Sequence, residues 1–206
     1  MLIESIPLHL DSKRILKTEK ISRLFEYGEE IDIKFVVLER EHKDIAEQFR
    51  CGNDYIDRFV RSISYKDKET VTHAAIDVKN NQIIAILTLV ATGIYTEPSK
   101  LSKREKMVIS AVEIRYYAVD KRYQKMPYSQ NKSDNTLSYQ IFNKYIRDIF
   151  ELSKHHIGIK KIILYSVDEA VDFYKRSNFH DFKKYMVRLD KREIRGCVPM
   201  YFNLNV

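Results

Sequence analysis

Residues 136–152 carry the strongest periodic pattern in the chain. The apolar residues Leu137, Ile141, Tyr145 and Ile149 recur at every fourth position, and further apolar residues lie beside them. This spacing places an apolar stripe along one side of a helix, and such a stripe has to be covered by another layer of structure. The chain is therefore predicted to pack a long amphipathic helix against a sheet or against other helices.

Apolar runs on both sides of this helix predict a sheet. The predicted strands are IDIKFVVLE, VTHAAIDV, QIIAILTLV, SAVEIRYYAV, KKIILYSV, FKKYMVRL and VPMYFNL. VTHAAIDV and QIIAILTLV form a predicted hairpin across Asn80-Asn81. Shorter helices are predicted in EHKDIAEQF and DYIDRFVRSI, hinged at Cys51-Gly52, and in DEAVDFYKRS with Asp168 as its N-cap. This order predicts a mixed α/β (α+β) domain, with a mostly antiparallel sheet of about six to seven strands and about four flanking helices.

The composition indicates one folded domain. The 206 residues suffice for a sizeable core, and the low counts of 5 glycines and 4 prolines argue against long disordered tracts. Residues 1–30 show no clear period and are interpreted as an appended segment, so that residues 31–206 form the domain.

Cysteine content and charge indicate the compartment and the class of partners of the protein. Cys51 and Cys197 form no CxxC pair, so the sequence predicts neither a disulfide framework nor a metal site and favours the cytoplasm. No stretch approaches the ~20 apolar residues that cross a membrane. The net charge of +7 attracts anions such as nucleic acid, nucleotide phosphates or acidic proteins, although excess lysine also serves solubility.

Four stretches resemble one bacterial branch of the GNAT acetyltransferases, which includes toxins that acetylate tRNA. They are FRCGNDYIDRFV (49–60), AVEIRYYAVDKRYQ (111–124), DEAVDFYKRSNF (168–179) and VPMYFNL (198–204). The stretches occur in the family's order, and the resemblance covers roughly residues 31–206. It implies the GNAT acyl-CoA N-acyltransferase fold and transfer of an acetyl group from acetyl-CoA to a primary amine.

The resemblance leaves the acceptor open. The amine is the α-amino group of an aminoacyl-tRNA, a protein amine or a small-molecule amine, and the implied partners include tRNA, an antitoxin and a second copy in a homodimer. The basic runs SKREK (102–106) and RLDKREIR (188–195) either contact phosphates or form solvated surface. A degenerate GNAT domain that binds a partner without catalysis is the alternative function.

The cofactor contacts follow from the resemblance. The family binds the pyrophosphate of CoA with a Gly-rich loop that leads into a helix N-terminus, where unpaired N–H groups favour anions. Here Gln124 opens the loop, non-glycine residues starting at Lys125 follow, and about ten extra residues intervene before the helix. A side chain in place of glycine makes a positive φ costly, so weakened or lost CoA binding is one expectation. The residues assigned to the pyrophosphate are Gln124, Lys125, Thr136, Leu137 and Ser138.

The remaining cofactor assignments lie around two parting strands. In the family, the pantetheine arm pairs with the exposed edge of the fourth strand, which corresponds to Tyr117, Ala118 and Val119. That edge can also donate an N–H to the thioester carbonyl. Asp168 and Phe173, near the last helix, are assigned to the same cofactor. Ordinary strand packing is the alternative interpretation of Ala118 and Val119.

Two residues are candidates for proton transfer. Tyr174 occupies the position of the family's general acid, which protonates the departing thiolate, and the alternative is that it packs a helix against the sheet. Glu113 is a candidate base, although Glu-Arg pairs on strands are more often solvated ion pairs. Strand alternation predicts that Glu113, Arg115 and Tyr117 share one face. Tyr116 and Tyr117 stand where the toxin branch has Arg-Leu, and this departure weakens the inference of a tRNA acceptor.

Overall fold

The computed structural model of the chain describes residues 31–96, 107–127, 136–182, 186–188 and 196–204. The predicted appended segment 1–30 and the basic run 102–106 lie outside the described residues, as does most of the basic run 188–195.

Eight strands and four α-helices follow one another in this described part. The strands are β1 (Ile33–Val37), β2 (Val71–Asp77), β3 (Gln82–Thr96), β4 (Met107–Val119), β5 (Lys161–Val167), β6 (His180–Asp181), β7 (Met186–Arg188) and β8 (Cys197–Asn203). The helices are α1 (Lys43–Glu47), α2 (Asp54–Ser62), α3 (Leu137–His155) and α4 (Val171–Arg176). The predicted order of elements is confirmed, with the two-residue strand β6 added, and β7 lies within the predicted strand FKKYMVRL.

The strands form one mixed sheet in the order β1-β2-β3-β4-β5-β8-β6, and β7 pairs with the far end of β3. Only the pairing of β4 with β5 is parallel among the described strands, and α3 supplies the crossover that parallel neighbours require. The predicted hairpin joins β2 to β3, and Asn81 adopts a φ of 50° in its turn. The α/β fold with a mostly antiparallel sheet is therefore confirmed.

Helices cover both faces of the sheet. The stripe of α3 predicted from the sequence is buried against one face, where Leu137, Ile141, Tyr145 and Ile149 join the main core. Helices α1 and α2 cover the opposite face with a smaller core that includes Phe49. None of the described helices is both long enough and apolar enough to cross a membrane.

Helices α2 and α4 begin in different ways. The Asn53 side chain accepts hydrogen bonds from the N–H groups of Tyr55 and Ile56, so Asn53 is the N-cap of α2. Asp168 is not an N-cap, in contrast to the prediction, because a 3-10 turn over Asp168–Ala170 precedes α4 and no side-chain cap bond forms there. Its carboxylate still lies where a negative charge favours the start of a helix.

A β-bulge interrupts the alternation of β4. The β3–β4 register shifts between Thr88 and Leu89, so that Arg115 becomes an extra residue in β4. As a result, Tyr117 faces α3 while Tyr116 faces α2. Glu113 points away from the α3 face, because its neighbours along the strand belong to the main core. The prediction that Glu113, Arg115 and Tyr117 share a face is therefore wrong.

Candidate functional site

A gap opens between β4 and β5 in the middle of the sheet. Their parallel register ends at Ile114 and Leu164, whereas β4 continues to Val119 and β5 to Val167. Beyond the gap, β4 remains paired with β3 and β5 remains paired with β8. A sheet that separates in this way exposes one backbone edge of β4 in its interior.

The hydrogen bonds of β4 show which residues present that edge. The N–H of Asp120 donates to the carbonyl of Ile84 on β3. In an antiparallel pair, directly opposed residues alternate between bonding each other and pointing away. The backbone groups of Ala118 therefore point to β3, and those of Tyr117 and Val119 point into the gap. Of the three predicted pantetheine contacts, these two have the suitable orientation.

The loop beyond β4 leads directly to the N-terminus of α3. The carbonyl of Met126 accepts a hydrogen bond of 2.9 Å from the N–H of Leu137, and Pro127 forms a β-bridge with Thr136. The Thr136 hydroxyl caps α3 by accepting from the Tyr139 N–H, and it lies 3.0 Å from the Ser138 hydroxyl. The two ends of the connection between β4 and α3 therefore lie side by side. The residues between Pro127 and Thr136 lie outside the described part.

Gln124 closes one end of the gap. Its Nε2 donates to the carbonyl of Val119 at 2.9 Å and to the carbonyl of Cys51 at 2.8 Å. The side chain predicted to open a phosphate loop thus bridges the end of β4 and the hinge between α1 and α2. Gln124 bonds only the carbonyl of Val119, so the N–H of Val119 and the backbone groups of Tyr117 still point into the gap.

Lys125 adopts a backbone conformation that glycine favours. Its φ of 60° lies in the left-handed region, which costs a residue with a side chain roughly 1 kcal/mol. We expect Lys125→Gly to raise the free energy of unfolding by up to about 1 kcal/mol, measured in urea. Asn178, at a φ of 61°, is the matched control, because asparagine tolerates this region and Asn178→Gly should change stability little. A destabilised Lys125→Gly variant would contradict the assigned backbone geometry.

An aromatic cluster lies between the gap and helices α3 and α4. The ring of Tyr117 stacks on Phe173 at 5.9 Å and contacts Phe142 at 4.8 Å. Its hydroxyl donates to the carbonyl of Ser138 in the first turn of α3. Burial raises the pKa of Tyr117 well above its usual value, so this phenol stays protonated and fixes β4 to the helix terminus. The predicted cofactor residues Tyr117, Ser138 and Phe173 are thus brought together.

Tyr174 belongs to the same cluster. It is 9% exposed and contacts Phe142, Phe173 and Phe179, so it does pack α4 against the core. Burial raises the pKa of Tyr174, which keeps the phenol protonated at neutral pH. Within the part of the chain that the structure describes, its hydroxyl makes no hydrogen bond. Unlike the fully buried hydroxyl of Tyr145, which also lacks a partner, the Tyr174 hydroxyl keeps some solvent-accessible surface.

Glu113 lies on the opposite face of the sheet from Tyr174. Its side chain is buried, and a carboxylate oxygen lies 3.9 Å from Nε of Arg115. The interpretation of this pair as solvated surface is therefore wrong for the carboxylate. The two candidates for proton transfer approach the gap from different sides.

Two buried aspartates, not recognised from the sequence, hold the α1–α2 hinge, and one of them attaches it to the end of β4. Asp57 accepts from the N–H groups of Cys51 at 2.6 Å and Gly52 at 3.4 Å. Asp120 accepts from the N–H of Arg50 at 2.9 Å and from the Arg122 guanidinium at 2.7 and 2.9 Å. The hinge therefore has a fixed position beside the gap.

Cys51 is a packing residue of this hinge. Burial, together with the neighbouring Asp57, raises the pKa of its thiol to about 11, so the group is protonated and unreactive at neutral pH. Across the described ranges, His, Cys, Asp and Glu side chains form no group of three that could hold a metal ion.

Comparison of the whole fold with solved structures gives many matches. A bacterial toxin matches with a TM-score of 0.64 and 21% identity over 84% of this chain and 92% of its own. The AtaT toxin complexed with acetyl-methionyl-tRNAfMet matches with a TM-score of 0.60 and 16% identity over 84% of this chain and 95% of its own. A mutant AtaT bound to acetyl-CoA and the C-terminus of the antitoxin AtaR matches with a TM-score of 0.59 and 12% identity over 84% of this chain and 93% of its own. The chain has the GNAT fold.

The GNAT fold confirms the resemblance to the toxin branch at the level of architecture. No family model and no curated protein matches the sequence. The similarity is therefore carried by the arrangement of strands and helices around the gap.

Proposed function

We propose that this protein is an N-acetyltransferase that uses acetyl-CoA to acetylate a primary amine. The observation that carries the proposal is the end of the β4–β5 register at Ile114 while β4 continues to Val119. This gap presents backbone donors and acceptors inside a sheet, where an amide-containing chain can add as a short strand. The GNAT toxin AtaT, bound to acetyl-CoA, provides the analogy of fold.

The residues around the gap fit acetyl-CoA. The backbone groups of Tyr117 and the N–H of Val119 match the amides of a pantetheine arm. The N-terminus of α3, capped by Thr136, offers N–H groups to a pyrophosphate, and Lys121 and Lys125 add exposed positive charge nearby. When bound, acetyl-CoA would supply a thioester whose acetyl carbon reacts with an amine.

Tyr174 and Glu113 have distinct proposed roles. The unpartnered hydroxyl of Tyr174 donates its proton, or a hydrogen bond, to the leaving sulfur. Glu113 accepts a proton from the incoming ammonium, directly or through water, on the opposite face of the sheet. The free edge of β4 beyond Ile114 would donate an N–H to the carbonyl oxygen of the thioester.

The acceptor is a primary amine that reaches the gap from the face of α2. The α-amino group of an aminoacyl-tRNA is one candidate, supported by the AtaT complex with acetyl-methionyl-tRNAfMet and by the net charge of +7. A homodimer and an antitoxin partner stay predictions.

Isothermal titration with acetyl-CoA tests the cofactor. We expect binding, and we expect Ser138→Asp to weaken it at least about tenfold because the new carboxylate repels the pyrophosphate at the start of α3. An acidic residue at a helix N-terminus does not destabilise the helix, so the variant should fold. Asn143→Asp adds the same charge farther along α3 and serves as the control.

Absence of binding heat at millimolar acetyl-CoA would contradict the proposal that the protein is an acetyltransferase. It would favour a GNAT domain that binds a partner without catalysis, an alternative suggested by the side chains of Lys125 and Met126 in the loop.

A further inference from the structure

An exposed tyrosine and a partly buried one form an aromatic surface on the α2 side of the gap. Tyr55, on α2, is 68% exposed, and Tyr116, on β4, lies with its ring centroid 6.1 Å away. The Tyr116 hydroxyl donates to the Tyr55 hydroxyl at 3.4 Å. Phe59 supports Tyr116 from below at 5.0 Å. We call Tyr55 and Tyr116 the tyrosine shelf.

The shelf lies directly beside the reactive region of the gap. Tyr116 stands between the bulge residue Arg115 and the edge residue Tyr117, in the part of β4 that β5 has left. Its side chain points to the face opposite Tyr174. A ring at this position would contact whatever approaches the gap from the α2 side.

The construction of the shelf is rigid at its base and open at its top. Tyr55 and Phe59 are one helical turn apart on α2, so both project towards Tyr116. Phe59 is buried, which fixes the orientation of Tyr116, whereas Tyr55 exposes most of its ring. An exposed ring held by a neighbour offers a π-surface with little conformational entropy to lose on binding.

The charges around the shelf favour an uncharged planar group next to an amine. Arg115, the neighbour of Tyr116 on β4, is paired with Glu113 on the same strand, so it is a poor site for a phosphate. The Glu113 carboxylate lies on the shelf side of the sheet and attracts an ammonium group. Tyrosine rings prefer to stack on, or to meet edge to face, another aromatic ring.

Resting on the proposed acetyltransferase function, we propose that the tyrosine shelf binds the aromatic group of the acceptor, so that the preferred substrates are primary amines with an aromatic ring close to the amine. Tyr55 and Tyr116 are then residues that determine acceptor specificity.

A pair of matched amines tests the shelf. 2-Phenylethylamine and 2-cyclohexylethylamine have the same chain and amine and differ in the aromatic character of the ring. We expect kcat/KM for acetylation to favour the phenyl compound by about two- to tenfold, the range of aromatic pair energies. Tyr55→Leu keeps apolar area but removes the ring, and it should abolish the preference, whereas Tyr55→Phe should retain it. Tyr95→Leu, at a partly exposed tyrosine on β3, should leave the preference intact.

The outcomes separate the shelf from the proposed function. Acetylation of both amines with equal kcat/KM, or an unchanged preference in Tyr55→Leu, would overturn the shelf while transferase activity stands. If neither amine is acetylated, titration of the CoA-saturated protein with the two amines decides the point. Binding of the phenyl compound alone, lost in Tyr55→Leu, supports the shelf, and equal binding or no binding overturns it.

Discussion

Replacement of Tyr174 by phenylalanine is expected to lower kcat about a hundredfold while the affinity for acetyl-CoA stays nearly constant. General acids contribute about 10²–10⁴ to a rate, and the low end applies here because burial raises the pKa of this phenol and makes proton release less favourable. Single-turnover kinetics of CoA thiol release would measure the loss. Stability should hardly change, because the hydroxyl removed has no hydrogen bond within the described residues.

Tyr145→Phe is the matched control for this experiment. The Tyr145 hydroxyl likewise has no partner, and its ring packs against Phe35 and His73 under β1 and β2. We expect full turnover and equal or greater stability in this variant. Equal turnover in both variants would show that Tyr174 only packs.

Removal of the Asp120 carboxylate is expected to destabilise the protein by about 3 kcal/mol. Asp120 is 1% exposed and accepts hydrogen bonds from the Arg50 and Arg122 N–H groups and from the Arg122 guanidinium, so Asp120→Ala leaves several partly buried donors unpaired. Chemical denaturation would measure the effect. Glu47→Ala removes a carboxylate from an exposed pair with Lys43 and should cost below about 0.5 kcal/mol.

The effect of Asp120 should depend on pH. Burial acts to raise the pKa of Asp120, but the hydrogen bonds from Arg122 and Arg50 outweigh it and the pKa is lowered. The unfolded chain, with an aspartate pKa of about 3.9, then binds the proton at higher pH than the folded chain does. The stabilisation is thus fully present above about pH 5 and declines as the pH falls below about 4. An effect of Asp120→Ala that stays constant down to pH 2 would contradict this hydrogen-bond assignment.

The fold could be predicted because its signals are local and periodic. The stripe of α3 and the apolar strands each indicate one element, and four stretches in family order fix how the elements connect. The bulge at Arg115 could not be predicted, because it depends on the register between β3 and β4 and not on the sequence of either strand. The bulge places Glu113 and Tyr117 on opposite faces of the sheet, whereas strand alternation predicted that they share one face.

The candidate site was predictable where the backbone determines it. Tyr117, Val119, Thr136 and Ser138 take their positions from strand edge and helix terminus. The partners of buried side chains were not predictable, since the bonds of Asp120 and Gln124 join segments far apart in the chain. The sequence also could not show that Lys125, in place of a glycine, still adopts a left-handed φ of 60°.

The attachment of the α1–α2 hinge has a consequence for how the chain folds. Arg50 and Asp120 are 70 positions apart, and the bond between them requires β4 to have paired with β3 already. Contacts of such long sequence separation form late, after the entropy of closing a long loop has been overcome. During synthesis α1 and α2 would emerge well before their anchor, so the side of the sheet that they cover should be among the last parts to acquire its native packing.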